Sequence, residues 1–561
     1  MSTIRISDYL TEEKNATPAI VAALKDLHDG DTLTLEGKSL ELYALGAPIK
    51  YYDISNNDCG NKPIVFHLSQ RENITIDGEG AALMFHGRVL PFTVDNSKKI
   101  TIKNLSIDYA SPFYAQAEIV EADSEHTVLQ FDQKEFCARV QNGNFCFYSK
   151  IDGWENEVTN CLVTEFEKDT GAPSATLPAY FPYSAKEESD SFLRGMFRDV
   201  DLKELAPGKI EMRGNLGFTH TVGNIWLCTH STREFPGIFI TDSKDVTVSC
   251  VDLFYTASMG VIAQMSENLT LEKVKATPKP GSGRYLSVNA DATHFVNCRG
   301  YLRVRDCLYE RMMDDAMNVH GIYGKVLSTL GNTIKVGYGH GQQEGVLFCK
   351  QGDKIALIDK WTMENIYEAT VLAVTDISHK EFTLVTSKPV SAKVQNLEHE
   401  MLLENLSTAV DVTATGNVTG YNRPRGFLLS TAGKVLIENN CFHNMYSGIQ
   451  VGGEANGWYE SGVVKDITIR NNDFTGCAYA GGCAIDINMQ VQDSNFKRPL
   501  HEKISITNNK FVQQAPRMLH AHLVKNLIWK DNTFEQSDAY AALGDAGPDG
   551  RIIYDCGNVE C

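Results

Sequence analysis

The residues best suited to chemistry in this chain are three aspartates, Asp291 and the adjacent pair Asp314 and Asp315. Their spacing, 314 − 291 = 23 residues, is close to one turn of a coil whose strands stack in register. In such a coil a third carboxyl stands on the rung next to the pair. Rungs of a sheet lie about 4.8 Å apart, and diagonal neighbours about 7 to 8 Å. Carboxyls at such distances can divide acid and base work at a glycosidic bond. A gap of roughly 6.5 to 9.5 Å admits an attacking water and inverts the sugar, whereas about 5 to 5.5 Å suits a covalent intermediate. Both separations are open to this trio. Clustered carboxylates oppose one another's ionisation, so at least one pKa rises toward a value useful for protonating a leaving oxygen.

Successive strand residues point to opposite faces, so Asp314 and Asp315 can share a pocket only at a bend. The run Arg311-Met312-Met313-Asp314-Asp315-Ala316-Met317-Asn318-Val319-His320-Gly321 has the apolar flanks and terminal glycine of a coil corner. On spacing alone, a solvated turn with an unrelated corner acid explains the trio equally well.

Positioning these residues requires a stack of coils, and the sequence repeats accordingly. A polar turn, a short β-branched alternation and then Asn or Asp return at Ile74, Ile100, Val246, Leu269, Leu302, Val435, Ile467, Ile504 and Leu527. Alternation with period 2 marks strands, and repeats of this length mark solenoids. The expected fold is all-β, a right-handed parallel β-helix; a β-propeller is disfavoured by the irregular repeat lengths. The pairs Asn439-Asn440, Asn471-Asn472 and Asn508-Asn509 are expected to stack at one corner, where Asn tolerates left-handed backbone. Residues 15–24 read as a capping helix with Thr17 as N-cap and Pro18 in its first turn, covering the open end of the stack. Two stretches break the rhythm. The organisation expected is 1–112 for the cap and first coils, 113–235 for a β-rich insertion, 236–322 for the coils carrying the acids, 323–408 for an inserted small β-barrel, and 409–561 for the last coils. Both insertions are read as barrel-like modules that shape a cleft.

With 561 residues, the chain is too long for a single compact core. Its net charge of −19 and lack of basic runs argue against nucleic acid or an anionic membrane as partner and suit a neutral ligand. The N-terminal residues 1–8 lack the apolar core of a signal peptide, and no apolar run approaches the roughly 18 residues of a span. The expectation is a cytoplasmic chain, with secretion followed by trimming left open. The fourteen cysteines, among them Cys250, Cys307 and Cys441 at apolar positions of strand-like runs, read as buried reduced thiols rather than disulfides. Cys477, Cys483, Cys556 and Cys561 lack paired zinc spacing, so no metal and no cofactor is expected.

The motifs Asn289-Ala290-Asp291-Ala292-Thr293-His294-Phe295, Met313 to Gly321, Asn422-Arg423-Pro424-Arg425-Gly426 and Gly457-Trp458-Tyr459-Glu460-Ser461-Gly462 resemble glycoside hydrolase family 110. These are exo-acting α-1,3-galactosidases, including enzymes that remove the terminal galactose of blood group B antigen. The resemblance spans nearly the whole chain and implies a β-helix with β-barrel insertions. It also implies hydrolysis with inversion on a galactose-terminated oligosaccharide, Asp314 as proton donor, and Asp291 with Asp315 activating the water. Met312-Met313 departs from the smaller residues expected before the pair. Oligomeric state, a homo-oligomer included, is left open.

Further residues have competing readings. His294 and His320 could bond galactose hydroxyls or be packed side chains. Arg423 and Arg425 could fix sugar oxygens, hold the carboxylates, or be solvated strand ends. Trp458 fits a stacking platform for a sugar face and equally plain packing, while Glu454 and Glu460 beside it read by default as an exposed polar loop. Asn289 and Asn318 could bond substrate or orient the corner. The rivals are a polygalacturonase-like hydrolase, which needs basic residues for uronates, a Ca²⁺-dependent pectate lyase-like elimination, and a non-catalytic glycan-binding β-helix.

Overall fold

The computed structural model describes residues 2–158, 161–175, 177, 179–183, 196–229, 232–542 and 549–561. Among these residues the alternating segments form two long parallel sheets, one of 21 strands and one of 13 strands. One coil shows the pattern: Glu267–Glu272 and Lys275–Ala276 run in the first sheet, and Thr293–Val296 runs in the second. The chain is therefore a parallel β-helix.

Register is carried by the inward side chains. Leu33, Ile76, Ile102, Val248, Leu271, Val304, Ala414, Ile437, Ile469 and Ile506 are partners from coil to coil, and each is at most 1% exposed. A one-residue slip would turn every one of them outward. Each such aliphatic side chain contributes about 1.5–3 kcal/mol of burial.

The asparagine pairs divide the work at their corner. Asn439, Asn471 and Asn508 take φ of 57°, 57° and 55°, the left-handed conformation that Asn tolerates. The second member builds a ladder: the Nδ2 groups of Asn417, Asn440, Asn472 and Asn509 each donate to the Oδ1 of the next rung, ending at Asn532, at 2.9–3.0 Å.

The N-terminal helix is Thr17–Asp26, but its cap differs from expectation. Thr17 is inside the helix, donating its hydroxyl to the Tyr43 carbonyl, and the Asn15 side chain accepts from the Thr17 N–H at 2.9 Å. The N-cap position falls on Ala16, which offers no side-chain cap, while Asn15 pairs with Glu41 of the strand Ser39–Tyr43.

The first interruption, from Tyr114–Ala122 to Ile225–Thr229, is a six-stranded antiparallel sheet sharing a core with a three-stranded one. The second is a closed six-stranded barrel running from Gly324–Leu330 to Met401–Asn405. Its core includes Val296 and Ile322, which point outward from the second sheet, so the barrel sits on the outer face of the coils that carry the acids.

Cys161, just before the strand Leu162–Phe166, and Cys228, on the partner strand Ile225–Thr229, form a disulfide, a correction to the all-reduced expectation. Cys250 and Cys441 are exposed, not buried; Cys250 sits at a left-handed kink, φ 53°. Cys307 is buried as expected. No helix among the described residues is long and apolar enough to cross a membrane.

Candidate active site

The acids stand at the corner that precedes each strand of the second sheet. Thr293, Met317 and Phe427 are partners on consecutive rungs. Two residues before them stand Asp291, Asp315 and Arg425, linked by backbone bonds from Ala292 N–H to the Asp315 carbonyl (2.9 Å) and from Ala316 N–H to the Arg425 carbonyl (3.3 Å). Asp291 is thus in register with Asp315, 24 residues on, and diagonal to Asp314. The corner is tight. A Cβ on Gly426 would stand 2.3 Å from the Gly448 carbonyl oxygen, and one on Gly260 would stand 2.5 Å from that of Ala292. Met312 and Met313 are core residues, 0% and 4% exposed. They anchor the bend from inside, while the Asn422 side chain holds it by donating to the Asp314 and Arg425 carbonyls at 2.8 and 2.7 Å.

One oxygen from each of Asp291, Asp314 and Asp315 lies within 4.8 Å of the others. Each carboxyl has its own counter-group. Arg425 grips both Asp315 oxygens at 2.8 Å through Nε and Nη2, Arg233 donates to Asp314 at 2.9 Å, and Asp291 meets the His294 ring through Nδ1. Asp291 Oδ1 also accepts from the Asp315 backbone N–H at 3.2 Å.

Burial, with Asp314 adding to it, pushes the Asp291 carboxyl well above the usual range. Burial pushes Asp315 up as well, against the opposing pull of Arg425. Asp314 goes the other way: the upward push of burial is outweighed by Arg233, Arg425 and Arg423, which hold it below the usual range. The three acids are therefore differentiated by environment, as acid and base roles require.

His294 and His320 lie on the outward side of the second sheet yet are only 1% and 3% exposed. They lie between Asp291 on one side and Glu460 on the other. Their rings meet at Nε2 to Nε2, 2.8 Å apart, and His320 Nδ1 faces the Gly321 carbonyl at 2.6 Å. Glu460, 7% exposed, lies 3.5 Å from His320 Nε2 and accepts from Asn56 Nδ2 at 3.1 Å and Asn318 Nδ2 at 3.4 Å. Donor atoms of His294, His320 and Glu460 fall within 4.8 Å of one another, as do those of the aspartates and, more exposed, those of Asp53, Cys59 and His379; among the described residues these clusters could hold a cation.

Trp458 is 37% exposed. Its ring lies against His340 at 4.3 Å between centroids and under the Arg233 guanidinium at 5.3 Å. Glu454 is committed elsewhere: its carboxylate accepts from the backbone N–H groups of Asn456, Gly457, Trp458 and Tyr459, so it shapes the loop that presents Trp458. The Oδ1 atoms of Asn289 and Asn318 and the Nε of Arg423 are buried with no hydrogen-bond partner among the described residues.

Sequence reasoning missed Arg233, Asn56 and His340. Arg233 comes from the end of the first interruption and is fixed by its backbone N–H on Asp58 Oδ2 at 2.8 Å. Its only signal was its place at the boundary between the insertion and the next coil strand, Ile238–Thr241.

Three carboxyls of unequal acidity meet at one corner of a parallel β-helix, beside an exposed tryptophan, an arrangement suited to glycoside hydrolysis. Residues 333–397 match the family model described as GLAA-B beta-barrel domain II. Alpha-1,3-galactosidase A of Shewanella woodyi is 32% identical, with 96% of this chain and 86% of that protein covered. Alpha-1,3-galactosidase B of Bacteroides thetaiotaomicron is 31% identical over 94% and 84%. Among solved structures, the family 28 exopolygalacturonase of Yersinia enterocolitica covers 100% of this chain and 78% of its own at 10% identity and a TM-score of 0.38. The chain belongs to the α-1,3-galactosidase family of glycoside hydrolases.

Proposed function

We propose that this protein is an exo-acting α-1,3-galactosidase that releases terminal galactose with inversion, using Asp291, Asp314 and Asp315. The observation that carries the glycosidase reading is the convergence of those three carboxyls within 4.8 Å, each with a different partner, in a chain of this family; inversion rests on the family resemblance, because this approach is closer than the roughly 6.5 to 9.5 Å between acid and base in inverting enzymes. A galactose ring would stack on Trp458, and its hydroxyls would satisfy Asn289, Asn318 and Arg423. Glu460 and Arg425 line the same corner, while His294, His320 and Glu454 act behind the surface that meets the sugar. A neutral galactoside fits the acidic chain better than a uronate does. Linear α-1,3-galactosides and blood group B glycans both fall within the proposal.

The test is hydrolysis of p-nitrophenyl α-galactoside and of Galα1-3Gal, followed by proton NMR. β-Galactose appearing first supports inversion, and initial α-galactose overturns it. Comparing linear with fucosylated α-1,3-galactosides in one preparation settles which ends are accepted.

A further inference from the structure

We infer that the free protein rests with its catalytic proton on Asp291, held there by the His294–His320 pair, and that loading for hydrolysis moves this proton to Asp314. The inference rests on the function proposed above and adds to it the state from which each turnover starts.

The hydrogen-bond chain fixes the proton count. His320 Nδ1 faces the Gly321 carbonyl at 2.6 Å, and a carbonyl only accepts, so this nitrogen carries hydrogen. His320 Nε2 faces His294 Nε2 at 2.8 Å; two lone pairs do not approach so closely, so one hydrogen lies between the rings. His294 Nδ1 meets Asp291 Oδ2, a third contact that again requires hydrogen. Three contacts need three protons, and two neutral imidazoles supply two. The third places one proton more on the unit than an ionised aspartate and two neutral rings would hold. It resides on Asp291 or makes a ring cationic. Both rings are buried, and burial lowers the His294 pKa to about 4, so the carboxyl keeps the proton.

The charged groups facing this unit agree. Asp314 and Asp315 approach from the next corner, each already occupied by a guanidinium, Arg233 or Arg425. Glu460, from the far side, is the exception: its carboxylate near His320 favours a charged ring, but burial outweighs it and holds the His320 pKa below the usual range. Asp291 is the member of the trio without a guanidinium partner among the described contacts.

The cycle then balances. On loading, the O–H bond of Asp291 breaks and one forms on Asp314, whose oxygen lies within 4.8 Å, a gap that one water or hydroxyl bridges. Asp314 passes the proton to the glycosidic oxygen as the C–O bond breaks and the departing sugar takes the electron pair. Water adds to the anomeric carbon and gives its proton to Asp291. Asp291 is again protonated and Asp314 again ionised, so the resting protonation is the one each turnover regenerates. His294 and His320 are positioning residues that set how tightly Asp291 keeps the proton.

Proton NMR of the wild-type protein without substrate should show a far-downfield proton that disappears in Asp291→Asn and persists in Asp314→Asn. Because no turnover is involved, this readout is separable from failure of the proposed hydrolysis. In kinetics, kcat/KM should be retained below the apparent pKa of the unit and lost as pH rises through it. His320→Phe frees His294 to donate to an ionised Asp291, and so should move that alkaline limb down by about one pH unit, roughly fivefold in rate at the wild-type midpoint. A far-downfield proton that survives Asp291→Asn, or an unmoved limb in folded His320→Phe, would overturn the inference. So would stoichiometric divalent metal in the native protein on elemental analysis, because a metal between the two Nε2 atoms would take the proton's place.

Discussion

At the scale of single residues, the site works by giving three chemically identical side chains three different partners. Asp314→Asn keeps the shape and removes the ionisable oxygen. Turnover of Galα1-3Gal should fall at least about 10³-fold, in the range expected for loss of an acid–base group, with an unchanged circular dichroism spectrum. Arg425→Met tests the other end of the network. Asp315, 1% exposed, would lose the fork that holds both its oxygens, and removing one partner of a buried pair costs about 3–5 kcal/mol. The sign with pH follows from the direction of the shift. Without Arg425 the folded-state pKa of Asp315 rises further above its unfolded value, so the variant is least destabilised below the ordinary carboxylate range and loses stability as pH climbs through it. Urea denaturation at acid and neutral pH measures this; equal losses at both would contradict it. The trio itself was legible because its spacing matches a coil. The contact between His294 and His320 was not, because it joins side chains 26 residues apart that meet only once their rungs are stacked.

At the scale of elements, period-2 alternation announced the strands, and the registers run through the residues that showed it. What sequence could not separate was which member of an Asn-Asn pair does which task, since both members are turn-formers. The structure gives the left-handed φ to the first and the ladder to the second. Asn472, 2% exposed, accepts from the backbone N–H and Nδ2 of Asn440 and donates to the Ile437 carbonyl and Asn509 Oδ1. Asn472→Ala orphans buried groups on both adjacent rungs, and at about 1–3 kcal/mol for each unsatisfied group the net loss should be about 2–4 kcal/mol in chemical denaturation. Asn471→Gly, by contrast, should be nearly neutral, because its φ of 57° is one that glycine adopts freely. Similar losses in the two variants would refute this division of labour. The helix start was misplaced by one position because Thr17 gives its hydroxyl to the Tyr43 carbonyl of a neighbouring strand, a contact invisible locally, and the cap position falls on Ala16.

At the scale of the whole molecule, a net charge of −19 neither attracts nor repels a neutral sugar. The kcat/KM for Galα1-3Gal should therefore change less than about twofold between low salt and roughly 0.5 M salt, where screening removes long-range fields. Digalacturonate, doubly negative, should not be cleaved at either ionic strength; turnover of it would favour the polygalacturonase-like alternative. The solenoid itself was readable from the repeats and from the two places where they fail. The contact between those interruptions and the acids was not readable, because it joins segments such as 53–58, 233 and 454–460 that meet only after the coil is wound.

Asp315 and Arg425 clasp each other across 110 residues of chain, most of them spent on the barrel. The clasp survives this detour because stacking, rather than the path between rungs, fixes where a corner side chain stands. The barrel is in this sense an exchangeable visor. A descendant could trade it for another and so admit different neighbouring sugars, while the cutting edge beneath kept its shape.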